Sequence, residues 1–369
     1  EVTDELKRLM KEFEKELAVL KGRVDGLEAK VGELEATQFS TTTKLKGIAT
    51  FVMGANAFPS GIGRLQQQAG NLEGATTFNY DVRLNFDTSF TGKDLLRTTL
   101  RAGNFGDSAF GGGAVVGANG AALGLNALEV AFQENCGTAD CGDVVAINRL
   151  FYQFPVGNGF TATVGGRVRQ DDMLAMWPSV YPADTVLDIF TYAGAPGAYN
   201  LNLGAGAGIW YQKNGWSISA NYVSANADGS IPSTTAACAA VPATSTACGG
   251  IGTAASQETG TVQVGYAASN WGAAVAYNYS NGVGPASGTP LAVLGGSTLA
   301  NARGGQAIFD TVNSVGLSAY WQPTTTGWIP SVSAGWGLNG YNESNGAFAF
   351  NGATSNSWYV GLQWSDAFI

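Results

Sequence analysis

From about Ser40 to the C-terminus, apolar and polar residues alternate in stretches of roughly ten, joined by short and long connections in turn. Residues 78–87 separate cleanly: Phe78, Tyr80, Val82, Leu84 and Phe86 share one face, and Asn79, Asp81, Arg83, Asn85 and Asp87 the other. The split recurs with Trp271, Ala273, Val275, Tyr277 and Tyr279, and again with Trp358, Val360, Leu362 and Trp364. Successive side chains of a strand point to opposite faces. Short turns on one side and long loops on the other are the signature of a membrane barrel. The pattern therefore predicts an all-β transmembrane antiparallel β-barrel, apolar toward lipid and polar toward an interior. Strands are expected at 44–56, 76–90, 94–104, 145–155, 160–170, 200–212, 216–225, 259–269, 271–280, 312–322, 328–338 and 356–364. Segment 122–135 is ambiguous between a loop and an extended hairpin.

The first residues follow another period. Leu6, Phe13, Leu20, Leu27 and Leu34 are spaced by heptads, with Met10, Leu17, Val24 and Val31 as the companion row. These are the d and a positions of a coiled coil, which at 1.5 Å per residue would reach roughly 50 Å. Gly22, Gly26 and Gly32 weaken an isolated helix by up to about 1 kcal/mol each, so the segment is expected to lean on assembly. A lone amphipathic helix on a domain surface is the simpler alternative. The expected division is 1–37 helix and 38–369 barrel.

Trp210, Trp216, Trp271, Trp321, Trp328 and Trp364 border short turns or the final segment, as an interfacial aromatic belt requires. All but Trp210 share the parity of their strand's apolar row. Short turns of such barrels face the periplasm. The helix, joined to the first strand, is expected there, with the long loops outside the cell.

Composition agrees. Only 13% of the 369 residues are charged, Gly numbers 52 and aromatics reach 11%, with no apolar run near the ~18 residues of a membrane helix. A net charge of −9 argues against nucleic acid as a partner. Histidine is absent, which removes imidazole triads and His-based zinc sites; no metal, cofactor or catalytic residue is expected. Cys136/Cys141 and Cys238/Cys248 lie in loops of small polar residues, which suits local disulfides in an oxidising exterior. Glu1 opens directly into the helical pattern with no signal peptide, so a processed or partial chain is expected.

Candidate chemistry lies on the polar row. Arg83, Arg97, Arg101, Arg149, Arg167 and Arg169 fall on neighbouring strands, most on the interior parity, with Arg167 and Arg169 read against Val164 and Val168. On the lipid face at mid-depth each would cost about 2–4 kcal/mol, so an inner basic wall is expected. Ion pairs with Asp81 or Asp87 are the plainer reading. Loop 171–199 carries Asp171, Asp172, Asp184 and Asp188 beside Met173, Leu174, Met176 and Trp177. That apolar load predicts a loop folded back into the lumen, its carboxylates facing the arginines across a constriction. The alternative is an outward lid.

A coiled coil, then Phe39-Ser40-Thr41-Thr42-Thr43-Lys44-Leu45, then Phe151-Tyr152-Gln153-Phe154-Pro155, Met173-Leu174-Ala175-Met176-Trp177-Pro178-Ser179 and Tyr192-Ala193-Gly194-Ala195-Pro196-Gly197-Ala198-Tyr199-Asn200 resemble the major outer-membrane porins of cyanobacteria. The resemblance implies a homotrimer in outer-membrane lipid. It implies passive diffusion of inorganic ions and small hydrophilic solutes through a water-filled lumen narrowed by the infolded loop. It also implies about 14–16 strands in the full protein. Relatives carry an S-layer-homology domain that binds a peptidoglycan-linked polymer; none precedes Glu1, so that contact is expected only through an absent N-terminal domain. The end, Trp364 to Ile369, reads as a turn after the twelfth strand and not as a closing strand. A modest anion preference is expected from the basic wall. The alternative function is a structural tether between outer membrane and cell wall, with the barrel mainly an anchor.

Overall fold

The computed structural model describes residues 2–37, 42–57, 74–106, 108, 110, 128–134, 142–232, 248–253, 255–281, 311–325, 327–342 and 352–365. By contacts the chain divides into two units, Glu1–Lys44 and Leu45–Ile369. The first is helix α1, Val2–Thr37. Its apolar residues Leu6, Met10, Phe13, Leu17, Leu20, Val24 and Leu27 are all exposed. No described helix is long and apolar enough to cross a membrane.

The second unit is one twelve-stranded sheet in which every strand pairs with its chain neighbour. The strands are β1 Thr43–Gly54, β2 Thr77–Thr88, β3 Leu95–Gly103, β4 Ala146–Val156, β5 Phe160–Arg169, β6 Leu203–Lys213, β7 Trp216–Ser224, β8 Glu258–Ala267, β9 Trp271–Asn281, β10 Thr311–Trp321, β11 Ser331–Asn342 and β12 Thr354–Gln363. This is the antiparallel meander of a transmembrane β-barrel. Among the described residues no pairing joins β12 back to β1. Eleven of the strands lie within a few residues of the expected ranges. β11 begins later than expected because Pro330, lacking an N–H, cannot enter the ladder. It then runs to Asn342, into the segment expected as loop.

Exposure is inverted relative to a water-soluble sheet. On β7, Ile218 is 48% exposed while the adjacent Ser219 is 1% exposed. Cross-strand register aligns like with like: Trp271 faces Trp321, Val275 faces Leu317 and Tyr277 faces Val315. Such a surface suits hydrocarbon, where backbone groups must be satisfied within the sheet. One tight connection shows how local chemistry sets the meander: Asn214 and Gly215 both adopt positive φ, 53° and 83°, the conformation a two-residue hairpin demands. Trp336 and Trp358 are directly paired at mid-strand on the outer face, so tryptophan is not confined to the short-turn rim.

The packed core sits against the inner wall. Ala193, Ala195, Ala198, Tyr199 and Ala276 form one cluster with Leu174 and Trp177 beside it. Phe151, Val168, Met173 and Val223 form another. Both join loop 171–199 to the inner face of the strands.

Candidate functional site

The site begins at an irregularity in β5. Phe151 pairs with Gly165 and Leu150 with Arg167, while on the other side Gly165 pairs with Gly206 and Val168 with Gly204. The chain therefore bulges at Gly166–Arg167, which resets the alternation. Gly165 permits the close approach, since a Cβ there would lie 2.5 Å from the Phe151 Cβ. The bulge turns Val168 inward, into the cluster with Phe151 and Met173. It also separates Arg167 from the other arginines: its backbone pairs opposite the exposed Leu150, and its buried Nε has no hydrogen-bond partner. Counting parity from Val164 fails because the count does not survive a bulge.

Beyond the bulge, four arginines meet five carboxylates. Asp81 accepts from Arg83 Nε at 2.9 Å and from Arg101 Nε at 2.7 Å. Arg169 reaches Asp171 at 2.8 Å, Glu129 at 3.0 Å and Asp184 at 2.9 Å. Arg83 also reaches Asp184 at 2.9 Å, and Arg149 pairs with Asp172 at 2.7 Å. Glu129 is held by its backbone as well as its carboxylate: its N–H donates to Val186 O at 3.0 Å, and its carbonyl accepts from Arg101 at 3.0 Å. The Arg101 guanidinium also lies 4.4 Å from the centre of the Phe132 ring, a cation–π distance. Buried charges persist only when paired in this way.

The loop carboxylates are tuned unequally. Burial pushes Glu129 and Asp172 up, against the pull of neighbouring arginines. Burial also acts on Asp184, but Arg169 and Arg83 outweigh it and hold this carboxyl well below the usual range. Asp184 keeps 54% of its side chain exposed, whereas its two arginines keep 10% or less. Asp188 corrects the expectation that it would face the arginines. Its Oδ1 accepts from Tyr192 OH at 2.6 Å, and its buried Oδ2 has no partner. Burial raises its pKa to about 7, with Glu129 adding to the rise. Arg97 also stands apart, in a two-pronged pair with Asp87 at 2.8 and 3.1 Å; Lys46 joins that carboxylate at 3.1 Å.

The opposite side of the loop is docked on β7–β12, and the inner polar row supplies the bonds. Ala175 N donates to Ser219 Oγ at 2.9 Å, Gln263 Nε2 to Met176 O at 2.9 Å and Val180 N to Ser333 Oγ at 2.8 Å. Ser318 Oγ donates to Ala193 O at 2.7 Å and Ser357 Oγ to Gly194 O at 3.1 Å. Close approach needs a smooth wall. A Cβ on Gly335 would collide with the carbonyl of Ala193, and one on Gly337 would lie 2.9 Å from the Ala195 Cα. Thus the loop spans from the arginines of β2–β5 to the small polar residues of β7–β12.

The structure brings together Arg83, Arg101, Arg149, Arg169, Asp171, Asp172 and Asp184 from the sequence-derived set, and leaves out Arg97, Arg167 and Asp188. Glu129 was missed, because it lies in the segment with no clear period. Gln170, buried at the loop's neck, was missed too, since a polar residue at a strand end gives no signal. Of the cysteines only Cys248 is described; it is not a free thiol. Cys136, Cys141 and Cys238 lie outside the described residues.

Residues 3–186 match the family described as "Carbohydrate-selective porin, OprB family". The chain is similar to that family over just under half of its length. It is 43% identical over 166 residues to an uncharacterized protein of Nostoc sp., covering 44% of this chain and 26% of that relative. It is 29% identical over 378 aligned positions to an uncharacterized protein of Synechocystis sp., covering 98% of this chain and 62% of the relative. The chain thus spans about a quarter of one curated relative and about three fifths of the other. Among solved structures, an OmpT outer-membrane protein of Vibrio cholerae matches with TM-score 0.39 and 9% identity, over 82% of this chain and 68% of that one. A triple mutant of the Rhodopseudomonas blastica porin matches with TM-score 0.38 and 14% identity, over 88% and 85%.

Proposed function

We propose that this porin-type protein is a passive diffusion channel whose lumen is narrowed by loop 171–199, carrying small hydrophilic solutes and inorganic ions without covalent chemistry. The observation that carries the reading is the span of the loop, paired with arginines on one side and hydrogen-bonded to the wall on the other. Arg83, Arg101, Arg149 and Arg169 are neutralised by Asp81, Glu129, Asp171, Asp172 and Asp184. Among the described ion pairs, the Asp87 group included, the most exposed charges are Lys46 (64%), Asp184 (54%) and Arg97 (31%), which are of mixed sign. This supports weak ion selectivity, a smaller anion preference than a bare basic wall would give, and passage of neutral polar solutes. The family's description, carbohydrate-selective, makes sugars the solute class to test.

The same reading includes a homotrimer, the helix in the periplasm as a coiled coil, long loops outside, and local disulfides Cys136–Cys141 and Cys238–Cys248. The exposed apolar seam of α1 supports assembly. Planar-bilayer recording of the purified protein tests the channel. Discrete ohmic steps are expected, in groups of three for a trimer. In a KCl gradient, Asp184→Asn should shift the reversal potential toward anion preference. A protein that inserts and stays silent would remove the channel reading.

A further inference from the structure

Gln170 is fully buried where β5 turns into the loop, and its contacts join chain segments far apart in sequence. Its Nε2 donates to Ala198 O at 2.7 Å and to Thr261 Oγ1 at 2.6 Å. Its Oε1 accepts from Leu201 N at 3.1 Å. The backbone is engaged as well: Asn221 Nδ2 donates to Gln170 O at 3.1 Å, and Gln170 N donates to Asn202 O at 3.0 Å. One residue thereby ties the loop's entry to its exit and both to the inner faces of β7 and β8. A glutamine suits the position because one side chain offers two donors and an acceptor in fixed planar geometry. Buried polar groups left without partners are costly, so the network is satisfied as a unit or lost as one.

We propose that Gln170 is the positioning residue of the constriction: it pins the neck of loop 171–199 against the wall and so keeps the open channel quiet and of one size. It acts through the loop and needs no contact with a permeating solute. The inference rests on the channel reading above. The arginine pairs hold the loop's charged edge; Gln170 holds the hinge at which both ends could swing away together.

The test is single-channel recording of wild type, Gln170→Ala and Gln170→Met, each first shown to be folded by its heat-modifiable gel mobility. Loss of the side-chain bonds is expected to raise occupancy of a flickering sub-state by roughly 10- to 100-fold and to lower the voltage at which channels close. Folding loss alone would reduce the number of channels, not their noise. The Oγ atoms of Ser179 and Ser333 lie 3.3 Å apart, so the double variant Ser179→Cys/Ser333→Cys can lock the loop to β11. Oxidised, it should quieten the Gln170→Ala channel, and a reductant should restore the flicker, with wild type under reductant as control. Quiet currents in both Gln170 variants would overturn the proposal, as would flicker that the oxidised lock leaves unchanged. A silent wild type would instead indict the channel reading. If both variants misassemble, Thr261→Val removes the oxygen that accepts from both Gln170 and Asn278, and an unaltered current there overturns the pin.

Discussion

Single residues on the loop show how position decides chemistry. Asp184 and Asp188 lie four apart on the same loop, yet arginines lower one and burial raises the other. For Asp188 the sign follows from linkage. An unfolded aspartate titrates near 3.9 and the folded one at about 7, so between those values the folded state binds more protons. Stability is therefore full below about pH 4 and falls as pH rises to about 7, by up to about 4 kcal/mol. The charge of Glu129 adds to the rise. Asp188→Asn should abolish this slope, measured as the pH dependence of the heat-modifiability midpoint; an unchanged slope would locate it elsewhere. None of this was legible in the sequence, where four loop aspartates looked equivalent. What was legible was that carboxylates and arginines occur in proportions that invite pairing.

At the scale of elements, the strands were readable because a lipid-facing row and an inner row impose a strict period of two. Trp271–Tyr279 and Phe78–Phe86 announce their faces residue by residue. The bulge in β5 was not readable, because Gly165-Gly166 carries no side chain to show a change of parity. The inner row of β7–β12 also has a role the pattern could not reveal. Ser219, Gln263, Ser318, Ser333 and Ser357 face the backbone of the loop. They are polar, and all but Gln263 small, because buried peptide groups must be paired at close range. Gly335→Ala should therefore force the loop off the wall, destabilising it by about 1–3 kcal/mol. The readouts are a lower heat-modifiability midpoint and noisier currents, and an unaffected protein would show that the loop yields freely.

At the scale of the molecule, α1 and the sheet are separate units with opposite needs. The sheet turns its apolar face to lipid, whereas α1 carries an apolar seam that lipid does not serve. Heptad spacing argues for self-association. Leu20→Glu should break the assembly through α1, seen as a lower mass of the detergent-solubilised complex by light scattering, while single-channel conductance stays unchanged. A mass equal to wild type would mean that α1 carries no assembly.

The sequence by itself determined the class of structure and the position of nearly every strand, since each follows from local periodicity and solvent preference. Tertiary structure decided which charges meet. Asp81 lies between Arg83 and Arg101, and Glu129 reaches Arg169 from 40 residues away. It also decided that Arg167 stays out of the ion-pair cluster and that Gln170 bonds to both ends of the loop. Those outcomes depend on strand register, a bulge and long-range contact. No local pattern encodes them, because partners distant in the chain leave no mark on one another's neighbours.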